Sequence, residues 1–265
     1  MLKKRLIPCL IIKDGLLVQS IGFREYLFIG KLRFTIERFN EWDVDEVMVI
    51  DISATPECRG PNFSMFSEVS KYCFVPTTIG GGIRSVEDIR GLLNVGADKV
   101  CMNTHAFSNP ELIKESSRIF GSQCIVVSID ARKTGENTYE VFTDSGKRAS
   151  GTDPVSWAKR AESLGAGEIF LNSIDRDGMK TGFDTELIRA VSEAVSIPVI
   201  ACGGAGRMSD FAQAIKAGAS AVAASNIFQH SEHATIKAKA AMRKAGIDVR
   251  ISIPATYLDK EVEIA

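Results

Sequence analysis

The second half of this chain repeats the first. Val75-Pro76-Thr-Thr-Ile-Gly80-Gly81-Gly82 lies over Ile197-Pro198-Val-Ile-Ala-Cys202-Gly203-Gly204 at an offset of 122 residues. At the same offset Gly96-Ala97 meets Gly218-Ala219, Val100 meets Val222, Asn103 meets Ser225 and Glu46 meets Glu168. At an offset of 119, residues 7–11 lie over residues 126–130. Strand ends, helix ends and glycines keep register together, which a duplicated half-sized unit explains better than chance. Short apolar runs at 5–11, 46–51, 75–79, 99–102, 124–130, 168–171, 199–202 and 221–224 read as strands. Helical patterns near 33–41, 63–73, 85–94, 110–118, 153–164, 184–195, 209–216 and 233–245 lie between them. Ser85-Val-Glu-Asp and Asn109-Pro-Glu-Leu read as helix starts, a small polar cap followed by acid in the first turn. Eight βα units in roughly 250 residues predict an α/β fold of the (βα)8 TIM-barrel type, four units per half. A doubly wound open sheet is the alternative; it normally carries fewer strands, and no G-x-G-x-x-G follows the first strand. No linker divides the chain, so residues 1–250 read as one barrel and 251–265 as a C-terminal tail.

Composition narrows the function. Thirty-two Lys and Arg against 33 Asp and Glu leave a net charge of -1, so no global basic field recruits nucleic acid or an anionic membrane. The apolar run at 6–12 is interrupted by Pro8 and falls far short of the roughly 20 residues a membrane span needs. No signal peptide is read at the start. The six cysteines (9, 58, 73, 101, 124, 202) form no C-x-x-C pair and suit buried thiols in a reducing cytoplasm. His105, His230 and His233 have no metal-ligand spacing, and neither a metal nor a cofactor is expected.

In a barrel of this kind the working residues lie at strand C-termini and in the loops that follow them. Gly80-Gly81-Gly82 and Gly203-Gly204-Ala205-Gly206 follow the third and seventh strands. Asn103-Thr104 and Ser225-Asn226 follow the fourth and eighth. Glycines bring backbone N–H groups close to an anion, and small polar side chains and a helix start add donors. Present twice, the pattern predicts two phosphate sites on opposite sides of the mouth, hence a ligand with a phosphate at each end; tight turns are the bland alternative. Asp130 ends the fifth strand and is a candidate general acid or base, or else a structural loop anchor. Asp51, Asp175 and Asp177 are candidates for orienting a ligand or capping loops. The repeat counterpart of Asp130 is Ile11, which transfers no proton. Arg5, Glu46, Lys99 and Glu168 open four strands and are expected together at the N-terminal face, where the plain reading is a salt-bridged plug.

With these residues the chain resembles the cyclase subunit family of imidazole glycerol phosphate synthase. The likeness rests on Lys4-Arg-Leu-Ile-Pro-Cys, Ile79-Gly-Gly-Gly-Ile-Arg-Ser-Val-Glu-Asp, Gly96-Ala-Asp-Lys-Val, Phe120-Gly-Ser-Gln-Cys-Ile-Val-Val, Ser173-Ile-Asp-Arg-Asp-Gly and Cys202-Gly-Gly-Ala-Gly, and extends to Gly246-Ile-Asp-Val-Arg250. The resemblance implies a lyase-type barrel, heterodimeric with a glutaminase subunit on its N-terminal face. Ammonia would pass up the barrel to react with a bisphosphorylated carboxamide ribotide in histidine biosynthesis. It further implies one phosphate site at Gly82, Asn103 and Thr104 and another at Asp177, Gly178, Gly204, Ala224 and Ser225. It assigns an ammonia gate to Arg5, Glu46, Lys99 and Glu168, and a glutaminase contact to Asp98. Of the family's catalytic aspartate pair, one matches Asp130 and the other falls on Ile11. Gln19 stands where the family's mobile first loop carries lysine, and Asn172 where the sixth strand usually has threonine. Losing one member of an acid–base pair typically forfeits ~10²–10⁴-fold in rate.

Two readings lead. In one, the chain is a paralogue that conducts ammonia to a separate sugar amidotransferase acting on a nucleotide-sugar or surface-glycan precursor, a branch that Leu10-Ile-Ile-Lys-Asp-Gly resembles. In the other, it is a working cyclase making imidazole glycerol phosphate and aminoimidazole carboxamide ribotide despite Ile11. A ligand-sensing scaffold is a third, and the related isomerase of the pathway a poor fourth.

Overall fold

The structure, a computed structural model, describes residues 3–252; the expected tail lies outside them apart from its first two residues. The strands are β1 (Arg5–Lys13), β2 (Leu16–Ile21), β3 (Glu25–Gly30), β4 (Val47–Asp51), β5 (Thr77–Gly80), β6 (Lys99–Met102), β7 (Ile125–Lys133), β8 (Tyr139–Thr143), β9 (Arg148–Ala149), β10 (Glu168–Ser173), β11 (Val199–Cys202) and β12 (Ala221–Ala224). The helices are α1 (Leu32–Glu41), α2 (Phe63–Tyr72), α3 (Val86–Asn94), α4 (Thr104–Ser108), α5 (Glu111–Phe120), α6 (Pro154–Ser163), α7 (Thr185–Ser192), α8 (Met208–Lys216) and α9 (Ala234–Lys244). Parallel pairing runs β1-β4-β5-β6-β7-β10-β11-β12 and returns to β1, where Arg5 pairs with Ala221. This is the expected closed (βα)8 TIM barrel.

The helices are held by their apolar faces and, at several N-termini, by a side-chain cap. Ser85 Oγ accepts from Asp88 N at 3.1 Å, Glu87 and Asp88 load the first turn of α3 with negative charge, and Val86, Ile89 and Leu92 are buried. Asp153 caps α6 through Ser156 N at 2.9 Å, with Pro154 in the first turn. The expected side-chain cap by Asn109 is not made. The short helix α4 ends on Asn109, whose backbone N–H donates to His105 O at 2.8 Å, and α5 starts without a side-chain cap after Pro110.

The repeat persists in the hydrogen bonds. Arg84 N donates to Asp88 Oδ2 at 2.9 Å, and Gly206 N donates to Asp210 Oδ2 at 3.0 Å, 122 residues on. Val47 N bonds Pro76 O, and Ile169 N bonds Pro198 O, both at 2.9 Å. A Cβ on Gly96 would stand 2.8 Å from Ser70 Cβ, and one on Gly218 would stand 2.9 Å from Ser192 Cβ. Each half therefore packs its helices on its strands by the same close approaches.

Two antiparallel additions stand outside the eightfold plan, and the sequence pattern was not read for them. β1 runs two residues past its expected end and turns at Asp14-Gly15 into β2 and β3, with Ile11 opposite Val18. Asp14 (φ 51) and Gly15 (φ 75) are both left-handed, as a two-residue hairpin turn of the primed kind requires. β7 likewise extends into β8 and β9, with Asp130 opposite Phe142. Among the described residues no helix is long and apolar enough to cross a membrane.

The glycines differ in what they demand. A Cβ on Gly15 meets nothing within 4 Å, whereas one on Gly204 (φ +107) would press into the backbone of Gly182. Gly15→Ala is expected to cost about 1 kcal/mol, the left-handed penalty alone. Gly204→Ala is expected to cost about 3 kcal/mol or more, because strain and backbone overlap add. Urea unfolding of both variants checks the difference.

Candidate functional site

Closure of the barrel sends side chains of alternate strand residues inward. At the N-terminal end Arg5, Glu46, Lys99 and Glu168 meet in a ring. Arg5 Nη1 lies 2.6 Å from Glu46 Oε1 and Arg5 Nη2 lies 2.8 Å from Glu168 Oε1. Lys99 Nζ lies 3.0 Å from Glu46 Oε2 and 3.1 Å from Glu168 Oε2. Each cation thus holds both carboxylates, and each carboxylate holds both cations. Burial would lower the Arg5 pKa, but the carboxylates of Glu168 and Glu46 outweigh it and raise it. Freeing one member would leave a poorly solvated charge unpaired.

Above the ring the interior is apolar: Ile7, Met48, Val126, Phe170, Ile200, Ala221 and Ala223 pack together with the thiols of Cys9 and Cys101. All six cysteines are free, Cys58 exposed and Cys9 and Cys101 buried. Burial raises the Cys101 thiol pKa, with the Asp130 charge adding to it.

A cavity of about 350 Å³ opens above this layer at the strand C-termini. Gly82, Asn103, Thr104, Asp130, Asp177, Gly178, Gly204, Ala224 and Ser225 all line it, whereas Gly80, Asp175 and Gly206 do not. β5 and β6 lie four strands from β11 and β12 around the barrel, so the two glycine clusters face each other. Gly82 packs on the Arg59 carbonyl, from which a Cβ would be 2.7 Å, and Gly203 packs on the Ser173 carbonyl at the same distance. The Ser225 hydroxyl oxygen has no partner in the structure. By contrast, the side chains beside Gly82 are engaged. Asn103 Nδ2 donates to Asp130 Oδ2 at 3.0 Å and to Ser128 O at 3.3 Å. Thr104 Oγ1 donates to Asn103 Oδ1 at 3.3 Å and accepts from Asp144 N at 2.9 Å.

Asp130 is 8% exposed. Burial pushes its carboxyl up to about 7, against the Ser128 hydroxyl, which favours the ionised form; the Asp177 charge raises it further. Ile11 is diametrically opposite, since β1 and β7 are four strands apart both ways round. Ile11 and Ile50 make that wall apolar. The repeat position facing Asp130 across the mouth is therefore an isoleucine, while Asp51 and Asp177 line the cavity from other strand ends.

The other acids are spent on the fold. Asp51 is 2.8 Å from Arg59 Nη2 and accepts from Ser53 N at 3.1 Å. Asp175 Oδ2 accepts from Lys133 N at 2.6 Å. Asp177 Oδ2 takes the Ser20 hydroxyl at 2.6 Å, fastening the β2–β3 hairpin beside the mouth; burial raises its pKa, and Ser20 opposes that. Gln19 is buried within β2, and Asn172 lines the cavity. Asp98 is exposed at the N-terminal face, with one oxygen held by Thr77 N at 2.7 Å. Sequence reading passed over Arg59, Arg84, His105, Lys180 and Tyr26, which also line the cavity. For Arg59, Arg84 and Lys180 the position in a loop after a strand was the available signal, whereas Tyr26 lies in β3 and His105 in α4.

Comparisons with known proteins agree with this geometry. The model of a family described as histidine biosynthesis protein matches residues 5–235. A protein of Vibrio vulnificus (strain YJ016) named "Putative imidazole glycerol phosphate synthase subunit hisF2" is 52% identical over 258 residues, spanning 97% of this chain and 94% of that protein. The chain belongs to the histidine biosynthesis protein family.

The Asp130 shift gives a pH prediction. A carboxyl that titrates near 7 when folded and near 3.8 when unfolded binds more protons in the folded state between those values, so its contribution to stability falls as pH rises from 4 to 7. Asp130→Asn abolishes that titration. The stability of the wild type relative to this variant is expected to fall by roughly 4 kcal/mol across the window. Urea unfolding of both proteins at pH 4.5, 6 and 8 measures it.

Proposed function

We propose that, as a member of this family, the chain is the cyclase-type barrel of a glutamine amidotransferase complex that receives ammonia from a glutaminase partner. In this reading the ammonia goes to a separate enzyme amidating a nucleotide-sugar or surface-glycan precursor. The observation that carries it is the contrast between the two ends of the barrel. The four-charge ring at one end is complete, while at the other Ile11 faces Asp130 and leaves the mouth without an acid–base pair. Between them lies an apolar, thiol-lined interior, which suits a small neutral molecule and resists ammonium.

The roles follow from the same geometry. Arg5, Glu46, Lys99 and Glu168 act as the gate on the N-terminal face, with exposed Asp98 as a contact for the glutaminase. Gly178, Gly204, Ala224 and Ser225 form one phosphate site, supported by the unpartnered Ser225 hydroxyl. Gly82, Asn103 and Thr104 form the other, with the backbone as its principal donor because their side chains are already engaged. Asp177 holds the hairpin over this pair of sites. Asp130 is the one proton-transfer group. The cytoplasm is the expected location for such a biosynthetic complex.

A second reading, a cyclase active in histidine biosynthesis, is favoured by one observation: a carboxyl near pH 7 in a cavity with two glycine-built anion sites is already a competent acid. The deciding experiment is turnover of the bisphosphorylated carboxamide ribotide by the full chain with excess ammonium salt, beside an Ile11→Asp variant. On the first reading the wild type is silent and the variant gains at least about 100-fold. Wild-type turnover matching the variant overturns it in favour of the second. For the gate, Lys99→Ala in the complex is expected to disturb glutamine-supported turnover at least about fivefold more than ammonia-supported turnover. Equal effects sink that role.

A further inference from the structure

Lys239 is 0% exposed, far from the mouth, on α9. Its Nζ lies 2.8 Å from Asp45 Oδ1 and 3.6 Å from Asp43 Oδ2. A buried ion pair is a poor device for stability alone, since apolar residues of similar volume often serve as well. What distinguishes this pair is where the other carboxylate oxygen goes. Asp45 Oδ2 accepts from Leu6 N at 2.7 Å, and Asp45 N donates to Leu6 O at 3.2 Å. Leu6 directly follows Arg5, and Asp45 directly precedes Glu46. One residue thus clasps β1 to the start of β4 at the level of the ring, where Arg5 and Glu46 make its shortest contact, 2.6 Å.

The same clasp recurs without a lysine. Asp98 Oδ2 accepts from Thr77 N at 2.7 Å, Asp98 N donates to Thr77 O at 2.9 Å, and Asp98 directly precedes Lys99. Asp98 is exposed, so water solvates its charge. Asp45 is 7% exposed, and its burial favours the neutral acid. A neutral carboxyl is a weaker acceptor for the Leu6 amide than a carboxylate. Lys239 supplies the countercharge that water supplies at Asp98.

We propose that Asp45 and Lys239 are positioning residues for the four-charge ring: Lys239 holds the Asp45 carboxyl in a buried ion pair, and Asp45 fixes the register at which Arg5 and Glu46 meet. This rests on the gate reading only for its functional meaning; the positioning itself is testable on the isolated full-length chain. The readout is side-chain 15N NMR of the Arg5 guanidinium, whose two contacts to Glu46 and Glu168 hinder its rotation. The exposed Arg33, paired with Glu37 at 3.0 Å, is the internal reference. Lys239→Met alone leaves Asp45 without its countercharge and endangers folding, so the principal variant is Asp45→Leu with Lys239→Met, which removes that pair together and leaves Asp43 its bonds from Ser252 N at 3.1 and 3.2 Å.

In that double variant Arg5 rotation is expected to accelerate about tenfold or more as the two-contact geometry is lost, with Arg33 unchanged. Lys239→Arg is expected to behave as the wild type. Arg5 signals that stay hindered in a folded double variant overturn the proposal. The gate reading fails separately: if Arg5→Ala leaves glutamine-supported and ammonia-supported turnover of the complex in fixed ratio, the gate is refuted while the NMR result still decides the positioning.

Discussion

Closure of the sheet between β1 and β12 governs everything else in this molecule. A closed parallel barrel has no edge strand, so alternate residues of all eight strands must share one narrow interior. Charges placed there have no neighbour but each other. Arg5, Glu46, Lys99 and Glu168 satisfy this by alternating around one layer. The layers above carry mainly apolar and thiol side chains until the cavity opens, with Thr78 in register with Met48 and Lys99. The same closure sends every βα loop to one end, so residues as distant in sequence as Gly82 and Ser225 line a single space.

Duplication made the two halves alike, and chemistry then separated them. Gly81 on the Asp51 carbonyl and Gly203 on the Ser173 carbonyl are equivalent by position, as are the Asp88 and Asp210 bonds to the loop amides before α3 and α8. At the mouth the halves part: Asp130 faces the cavity from one half and Ile11 from the other. The polar side is also the better braced, with Asn103 and Ser128 on the Asp130 carboxylate. Pairing of β1 with β2 and of β7 with β8 is otherwise so similar that the Ile11 wall reads as a change of chemistry on an unchanged frame.

Most of the barrel could be read from the sequence because burial repeats. The eight strands are apolar runs, the helices show one apolar face each, and the charged strand openings fall on one layer by simple alternation. The ring was legible for that reason. The hairpins were not, since β2 and β3 lie where a βα loop was expected, although Asp14-Gly15 after an apolar run is a recognised turn signal. The engagement of Asn103 and Thr104 was also hidden, because it depends on Asp130 and Ser128 on the next barrel strand and on Asp144 in a turn 40 residues on. The role of Arg59 in neutralising Asp51 was hidden too, since salt-bridge partners across a loop leave no periodic trace. Lys239 left no signal at all: one lysine among the several of α9 looks like a solvated face until the fold buries it.

The closure also sets how the chain finds its fold. Seven of the eight parallel pairings join strands that follow one another around the barrel in chain order. The eighth joins Arg5 to Ala221 and must span most of the chain. Loop-closure entropy weighs only slowly on such a long span, but non-local contacts still form late. The ring that contains Arg5 therefore completes among the last events of folding. Arg5 can meet Glu46 through the sequential pairing of β1 with β4, and closure then brings it to Glu168.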